Sequence, residues 1–203
     1  GFDKAAKLFE RTTIELAPIH KDFICREPGS INPPGACTIS MPPGTKRKAG
    51  AFAVSLAGVR LCRDAGIRVG LRFTLTQDNA HDLPALLDLM EAERVDKFYL
   101  SHLNYGGRGN VNRKSDAMFR TTRAAMDLLF DTAWRHVDAG RPREFVTGNN
   151  DADAVYLLQW VRARFPERGD QLRAKLAQWG GNASGVNVAN IDNIGDVHPD
   201  TFW

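Results

Sequence analysis

Apolar residues along this chain recur at two different periods. Phe52, Leu56 and Val59 mark one face of a helix that ends at Ala65-Gly66, where glycine suits a left-handed cap. The period then drops to two. Ile67, Val69, Leu71, Phe73 and Leu75 alternate with Arg68, Gly70, Arg72, Thr74 and Thr76, as in a strand with one apolar and one polar face. Asp82 stands where it can cap a helix whose Leu83, Leu86, Leu87 and Met90 share a side. Lys97 to Ser101 reads as a second strand, followed by a glycine-rich loop from Asn104 to Asn110. Met126, Leu129, Phe130, Ala133, Trp134 and Val137 give the strongest helical pattern. Glu144 to Thr147 is a short strand. Ala154, Leu157, Leu158, Val161 and Phe165 mark a helix stopped by Pro166, and Lys175 to Trp179 a further short helix.

Helix and strand alternate with short connections, the signature of parallel βαβ units that close into a barrel or form an open doubly wound sheet. About three strands are visible, fewer than a complete barrel needs. Beyond Trp179 the pattern changes. Val188 to Asp192, a turn at Asn193 to Asp196, and Val197 to Pro199 read as a β-hairpin that opens a new unit. The first 48 residues differ again. One helix is expected near Phe2 to Thr12. Then Pro18, Pro28, Pro33, Pro34, Pro42 and Pro43 remove donors and leave no room for long helices or central strands. The expected division is 1–48, 49–179 and 180–203, a piece of a larger architecture.

Charge narrows the function little. The net charge of +3 comes from Arg and Lys scattered among Asp and Glu, which does not point to nucleic acid. No apolar run reaches the roughly 18 residues of a membrane span. The start Gly1-Phe2-Asp3-Lys4 lacks the pattern of a signal peptide, so a cytoplasmic location is expected. Cys25, Cys37 and Cys62 are too widely and unevenly spaced for a disulfide framework or a C-x-x-C motif, and read as free thiols; no metal ligand is expected among these residues.

Candidate chemistry clusters where strands end. In a barrel the even positions of the Ile67–Thr76 segment face the interior, so Arg72 and Thr74 line a polar wall; the alternative is an Arg72 paired with a structural carboxylate. Asn79 follows the strand's end, as a ligand-binding amide or a turn former. His102 is an acid or base by type, or simply hydrogen-bonded. In the glycine loop after it, Asn104 is a polar candidate and Arg108 can fork onto a carboxylate. No helix is expected to begin inside that loop, which separates it from a dinucleotide-binding turn. Asn149 and Asn150 follow the third strand, either as polar ligand groups or beside an Asp that caps the next helix. Asp88, Glu91 and Glu93 read as solvated, Trp134 and Trp160 as packing residues. Asn182-Ala183-Ser184 matches a glycosylation acceptor only formally.

Longer segments carry a resemblance. Leu61 through Thr76 resembles the mid-barrel segment of radical S-adenosylmethionine (SAM) proteins with a C-terminal SPASM domain. Ser101-His102-Leu103-Asn104-Tyr105 to Asn110, Glu144 through Asp153, Gln178 through Gly185, Asn190-Ile191-Asp192 and Gly195 through Asp200 are similar to the radical SAM family of haem d1 biosynthesis. The likeness spans about three quarters of the chain and leaves residues 1–48 unmatched. It implies a partial (β/α) barrel followed by the start of a SPASM domain. It implies [4Fe–4S] clusters, SAM, an electron donor such as flavodoxin or ferredoxin, and removal of propionate side chains from a sirohaem-derived tetrapyrrole in denitrification. It sets Arg72, Thr74, Asn79 and Asn104 beside the cofactor, and Arg108, His102, Asn149 and Asn150 beside the substrate. The cluster motif of such proteins, C-x-x-x-C-x-x-C, is absent from this chain, so no cluster and no SAM cleavage are expected of it alone. Two further readings stay open: a radical SAM/SPASM peptide maturase, and a non-catalytic barrel fragment.

Overall fold

The computed structural model describes residues 36–40, 51–105, 108–148 and 150–199. The centre is a four-stranded, fully parallel sheet in the order β1 (Ala36–Ser40), β2 (Arg68–Thr74), β3 (Lys97–Ser101), β4 (Glu144–Gly148). Helices α1 (Ala51–Asp64), α2 (Leu83–Ala92) and α3 (Phe119–Asp138) connect the strands in turn, and α4 (Ala152–Arg164) and α5 (Gly169–Trp179) follow β4. Parallel neighbours need such crossovers, and each crossover brings an apolar helix face back onto the sheet. The class is therefore mixed α/β with a parallel sheet, as the alternation of periods predicts.

The α1–β2 joint shows how local chemistry sets the frame. Gly66 takes φ 74°. The Gly66 N–H donates to the Arg63 carbonyl at 2.9 Å, and the Ile67 N–H to the Cys62 carbonyl at 2.9 Å. That pair of bonds is a Schellman motif, which satisfies helix-end carbonyls and turns the chain straight into β2. Beyond it, Val69, Phe73 and Leu75 point to the helices. They pack with Val59 of α1, Leu83, Leu87 and Met90 of α2, Phe98 and Leu100 of β3, and Met126 and Leu129 of α3. Phe98, Leu75 and Leu100 are fully buried, each worth about 1.5–3 kcal/mol by transfer from water. Trp160 is buried and Trp134 packs against the same core, as their spacing predicts.

Several expectations are corrected. A strand, β1, lies between Pro34 and Pro42 where none was expected. Ala36 through Ser40 fits the gap between the prolines, and pairing with β2 (Ser40 opposite Arg72) supplies the hydrogen bonds that sequence-local reasoning cannot see. A single helical turn, Arg108–Val111, begins inside the glycine loop. Gly109 permits it, because a Cβ there would overlap the Asn104 carbonyl. Asp82 makes no side-chain cap; a 3-10 turn at Ala80–Asp82 leads into α2 instead. Glu93 is not solvated. It is buried and takes Arg60 at 2.6 Å and Arg63 at 3.2 Å. Glu91 likewise meets His136 at 3.2 Å and Arg141 at 3.1 Å. Helix α5 is longer than the Lys175–Trp179 pattern suggested. Near the C-terminus, β5 (Asn190–Ile191) and β6 (Val197–His198) form a short antiparallel ladder. The helix expected near Phe2–Thr12 lies outside the described residues.

Candidate functional site

Because the odd positions of β2 bury against helices, its even positions occupy the opposite face of the sheet. The parallel register carries that face across the strands in tiers. Gly70 stands opposite Lys97 and Lys97 opposite Glu144; Arg72 opposite Tyr99 and Tyr99 opposite Val146; Thr74 opposite Ser101 and Ser101 opposite Gly148.

The charges are not distributed alike among these tiers. At the N-terminal end, Glu144 takes both Lys97 (2.8 Å) and Arg68 (3.5 Å), so each of these cations has a carboxylate partner. In the next tier the half-buried Arg72 places its guanidinium 4.7 Å from the centre of the Tyr99 ring, a cation–π contact. No carboxylate among the described residues pairs with it. Burial pulls the Arg72 pKa below the usual arginine range and pushes the Tyr99 hydroxyl above its own. The Asp153 charge adds to the Tyr99 rise, while Arg72 opposes it. A guanidinium remains cationic at neutral pH even so.

The tier nearest the strand ends is neutral and polar. Thr74 Oγ1 lies 3.0 Å from Ser101 Oγ. Ser101 is fully buried. Gly148 opposes it for a steric reason, since a Cβ at that position would collide with the Tyr99 hydroxyl. Just past β3, the His102 N–H donates to the Gly148 carbonyl at 3.1 Å, which extends the ladder by one bond. The His102 ring places Nε2 at 2.8 Å from both carboxylate oxygens of Asp153, and both residues are buried. Asp153 sits in the first turn of α4, so this pair ties the start of α4 to the end of β3.

The remaining candidates spread along the same rim. Asn79 works on the backbone: its Oδ1 accepts from the Thr76 N–H at 2.8 Å, and its Nδ2 donates to the Thr74 carbonyl at 2.9 Å. It thereby closes the end of β2, the turn-forming role open to an Asn there. Asn104 is partly buried beside the Gly109 turn. Asn150 is exposed, and its Oδ1 accepts from the Ala152 N–H at 3.0 Å. It is therefore Asn150, not an Asp, whose side chain caps α4. Asn149 and the Arg108 side chain lie outside the described residues. Sequence reasoning missed Tyr99 and Asp153. Tyr99 lay within the expected Lys97–Ser101 strand and Asp153 within the loop expected to cap the next helix, neither singled out; the period-two offset from Ser101 was the signal that could have found Tyr99.

Cluster ligands are a different matter. Cys62 is buried in the apolar core. Among the described residues no group of three or more His, Cys, Asp or Glu is arranged to hold a metal. No described helix is long and apolar enough to cross a membrane.

Fold and site thus define a parallel α/β protein in which Arg72, on the sheet face opposite the core helices, has no carboxylate partner among the described residues. Comparison with known proteins makes the relationship specific. The chain is 60% identical over 156 residues to "Pre-heme d1 synthase" of Dinoroseobacter shibae, a match covering 76% of this chain and 39% of the relative. It is 36% identical over 154 residues to "Fe-coproporphyrin III synthase" of Methanosarcina barkeri, covering 76% and 39% in the same sense. The matched stretch agrees with the resemblance to the radical SAM family of haem d1 biosynthesis. It spans about 39% of the length of these curated relatives. No protein-family model and no solved structure matches it.

Proposed function

We propose that this chain forms one wall of the ligand cavity of a radical SAM enzyme of haem d1 biosynthesis, with Arg72 as a carboxylate anchor. In this reading the sheet is part of a (β/α) barrel and the β5–β6 ladder opens a SPASM domain. The substrate is a sirohaem-derived tetrapyrrole that loses propionate side chains, SAM is the co-substrate, and flavodoxin or ferredoxin the electron donor.

One observation carries the reading: the half-buried Arg72 stacks on Tyr99 and has no carboxylate partner among the described residues. A guanidinium removed from water costs free energy unless an anion or a stack of donors compensates it. The Tyr99 ring offsets part of that cost, and a carboxylate would offset the rest through paired N–H···O bonds. Both expected ligands bring one, SAM on its amino-acid end and the tetrapyrrole on its side chains. Thr74 and Ser101 add neutral hydroxyls one tier above.

The residues of this chain do not fit the [4Fe–4S] cluster that the resemblance implies. Cys62 is sealed in the core, and Cys25 and Cys37 are twelve positions apart in sequence. The chain by itself therefore holds no cluster and is inactive in this reading.

Titration of the chain with SAM and, separately, with Fe-coproporphyrin III tests the anchor. A charge-assisted pair is worth about 1.5–3 kcal/mol, so Arg72→Leu is expected to weaken one of the two ligands by roughly tenfold or more. Which one weakens identifies the carboxylate. Equal affinities of wild type and variant for both ligands would falsify the anchor.

A further inference from the structure

We infer that the segment spanning Tyr105 and residues 109–119 is a docking strap for a flat, carboxylate-bearing macrocycle; the inference rests on the tetrapyrrole reading above. The segment leaves the end of β3 and returns across the end of β2, the strand that carries Arg72. It is fastened there. Thr76 and Asp116 form an isolated antiparallel bridge. The Gln77 N–H donates to the Ser115 carbonyl at 2.9 Å, and Gln77 Nε2 to the Lys114 carbonyl at 2.7 Å. The Tyr105 hydroxyl donates to Asp116.

A segment held this firmly still leaves apolar surface in water. Val111 is 83% exposed, Met118 70% and Phe119 69%. Two of its aromatic rings carry cations on their faces: Arg113 lies 4.4 Å from the Tyr105 ring centre, and Arg123 4.4 Å from that of Phe119. From residue 109 to 123 the cations are Arg113, Lys114, Arg120 and Arg123, against the single carboxylate of Asp116, which Tyr105 occupies. Apolar area interleaved with exposed cations complements a ligand with a flat apolar body and a rim of carboxylates. An acidic protein would also be drawn to these charges. The macrocycle is favoured because the strap is hydrogen-bonded to the end of the strand that carries Arg72, which has no carboxylate partner among the described residues.

The test is a titration of the whole chain with Fe-coproporphyrin III, followed by its visible absorbance, for wild type and for the double reversal Arg113→Glu with Lys114→Glu. Both positions are exposed. The reversal is expected to weaken binding about tenfold or more while circular dichroism and thermal melting stay unchanged. Arg173→Glu, an exposed charge on α5, is expected to leave binding as it was. If the reversal unfolds the chain, Arg113→Gln replaces it, with a smaller loss expected. The inference is overturned if the reversal binds as wild type does, if Arg173→Glu weakens binding equally, or if wild type shows no binding. It is also overturned if the reversal weakens binding of a flavodoxin but not of the porphyrin. Loss in Arg72→Leu without loss in the reversal would leave the anchor standing and remove only the strap.

Discussion

Arg72 occupies a position that stability alone does not explain. Its charge is half-buried, stacked on Tyr99 and matched by no described carboxylate. Replacing it with Leu removes a desolvation cost and a cation–π contact of comparable size, so thermal stability is expected to change by less than about 1 kcal/mol. A melting experiment checks this, and a large loss would mean that Arg72 is structural. Asp153 behaves in the opposite way. Asp153→Ala leaves buried His102 without its acceptor and is expected to cost about 1–3 kcal/mol in chemical denaturation. The two residues were not equally legible. Arg72 could be placed because a period of two fixes which face a strand residue occupies. Asp153 could not, because its partner lies 51 residues away and an acid in a first helical turn satisfies the helix dipole equally well.

Elements in this molecule meet through tight joints. Gly148 lets β4 pass beside the Tyr99 hydroxyl, and Gly148→Ala would place a methyl group into it. Overpacking of this kind costs about 1–3 kcal/mol, and Tyr99→Phe in the same chain is expected to return part of the loss. A double-mutant cycle in urea measures the coupling; simple additivity would show that the ring moves aside freely. The α1–α2 contact depends on ionisation. Hydrogen bonding to Arg60 leads the causes that hold the Glu93 carboxyl below its ordinary range, with the charges of Arg60 and Arg63 assisting. A depressed carboxylate contributes stability that is complete above its unfolded pKa of about 4.3 and is lost as pH falls through the lower folded value. Wild type should therefore exceed Glu93→Gln in stability at neutral pH, and the gap should close as acid titrates Glu93. Periodicity revealed α1, β2 and β3 because each buries one face. It did not reveal β1 or the full length of α5: the first depends on pairing with a strand distant in sequence, and the second buries only a narrow stripe, Gly169 and Leu172.

At the scale of the whole molecule, sheet and helices divide the labour. The helix-covered face carries the core. The opposite face changes from the Glu144 ion pairs, through an Arg72 with no carboxylate partner among the described residues, to neutral hydroxyls at Thr74 and Ser101. Incubated anaerobically with iron and sulfide, the chain is expected to develop no visible cluster absorbance; a cluster band would contradict the assignment of Cys62 to the core. The central claim, that Arg72 meets a ligand carboxylate, is tested most directly by a thermodynamic cycle. Dissociation constants are measured for wild type and Arg72→Leu, each with Fe-coproporphyrin III and with the same porphyrin esterified at its carboxylates. Esterification is predicted to weaken binding to wild type much more than to Arg72→Leu. Equal losses in the two proteins would contradict the account.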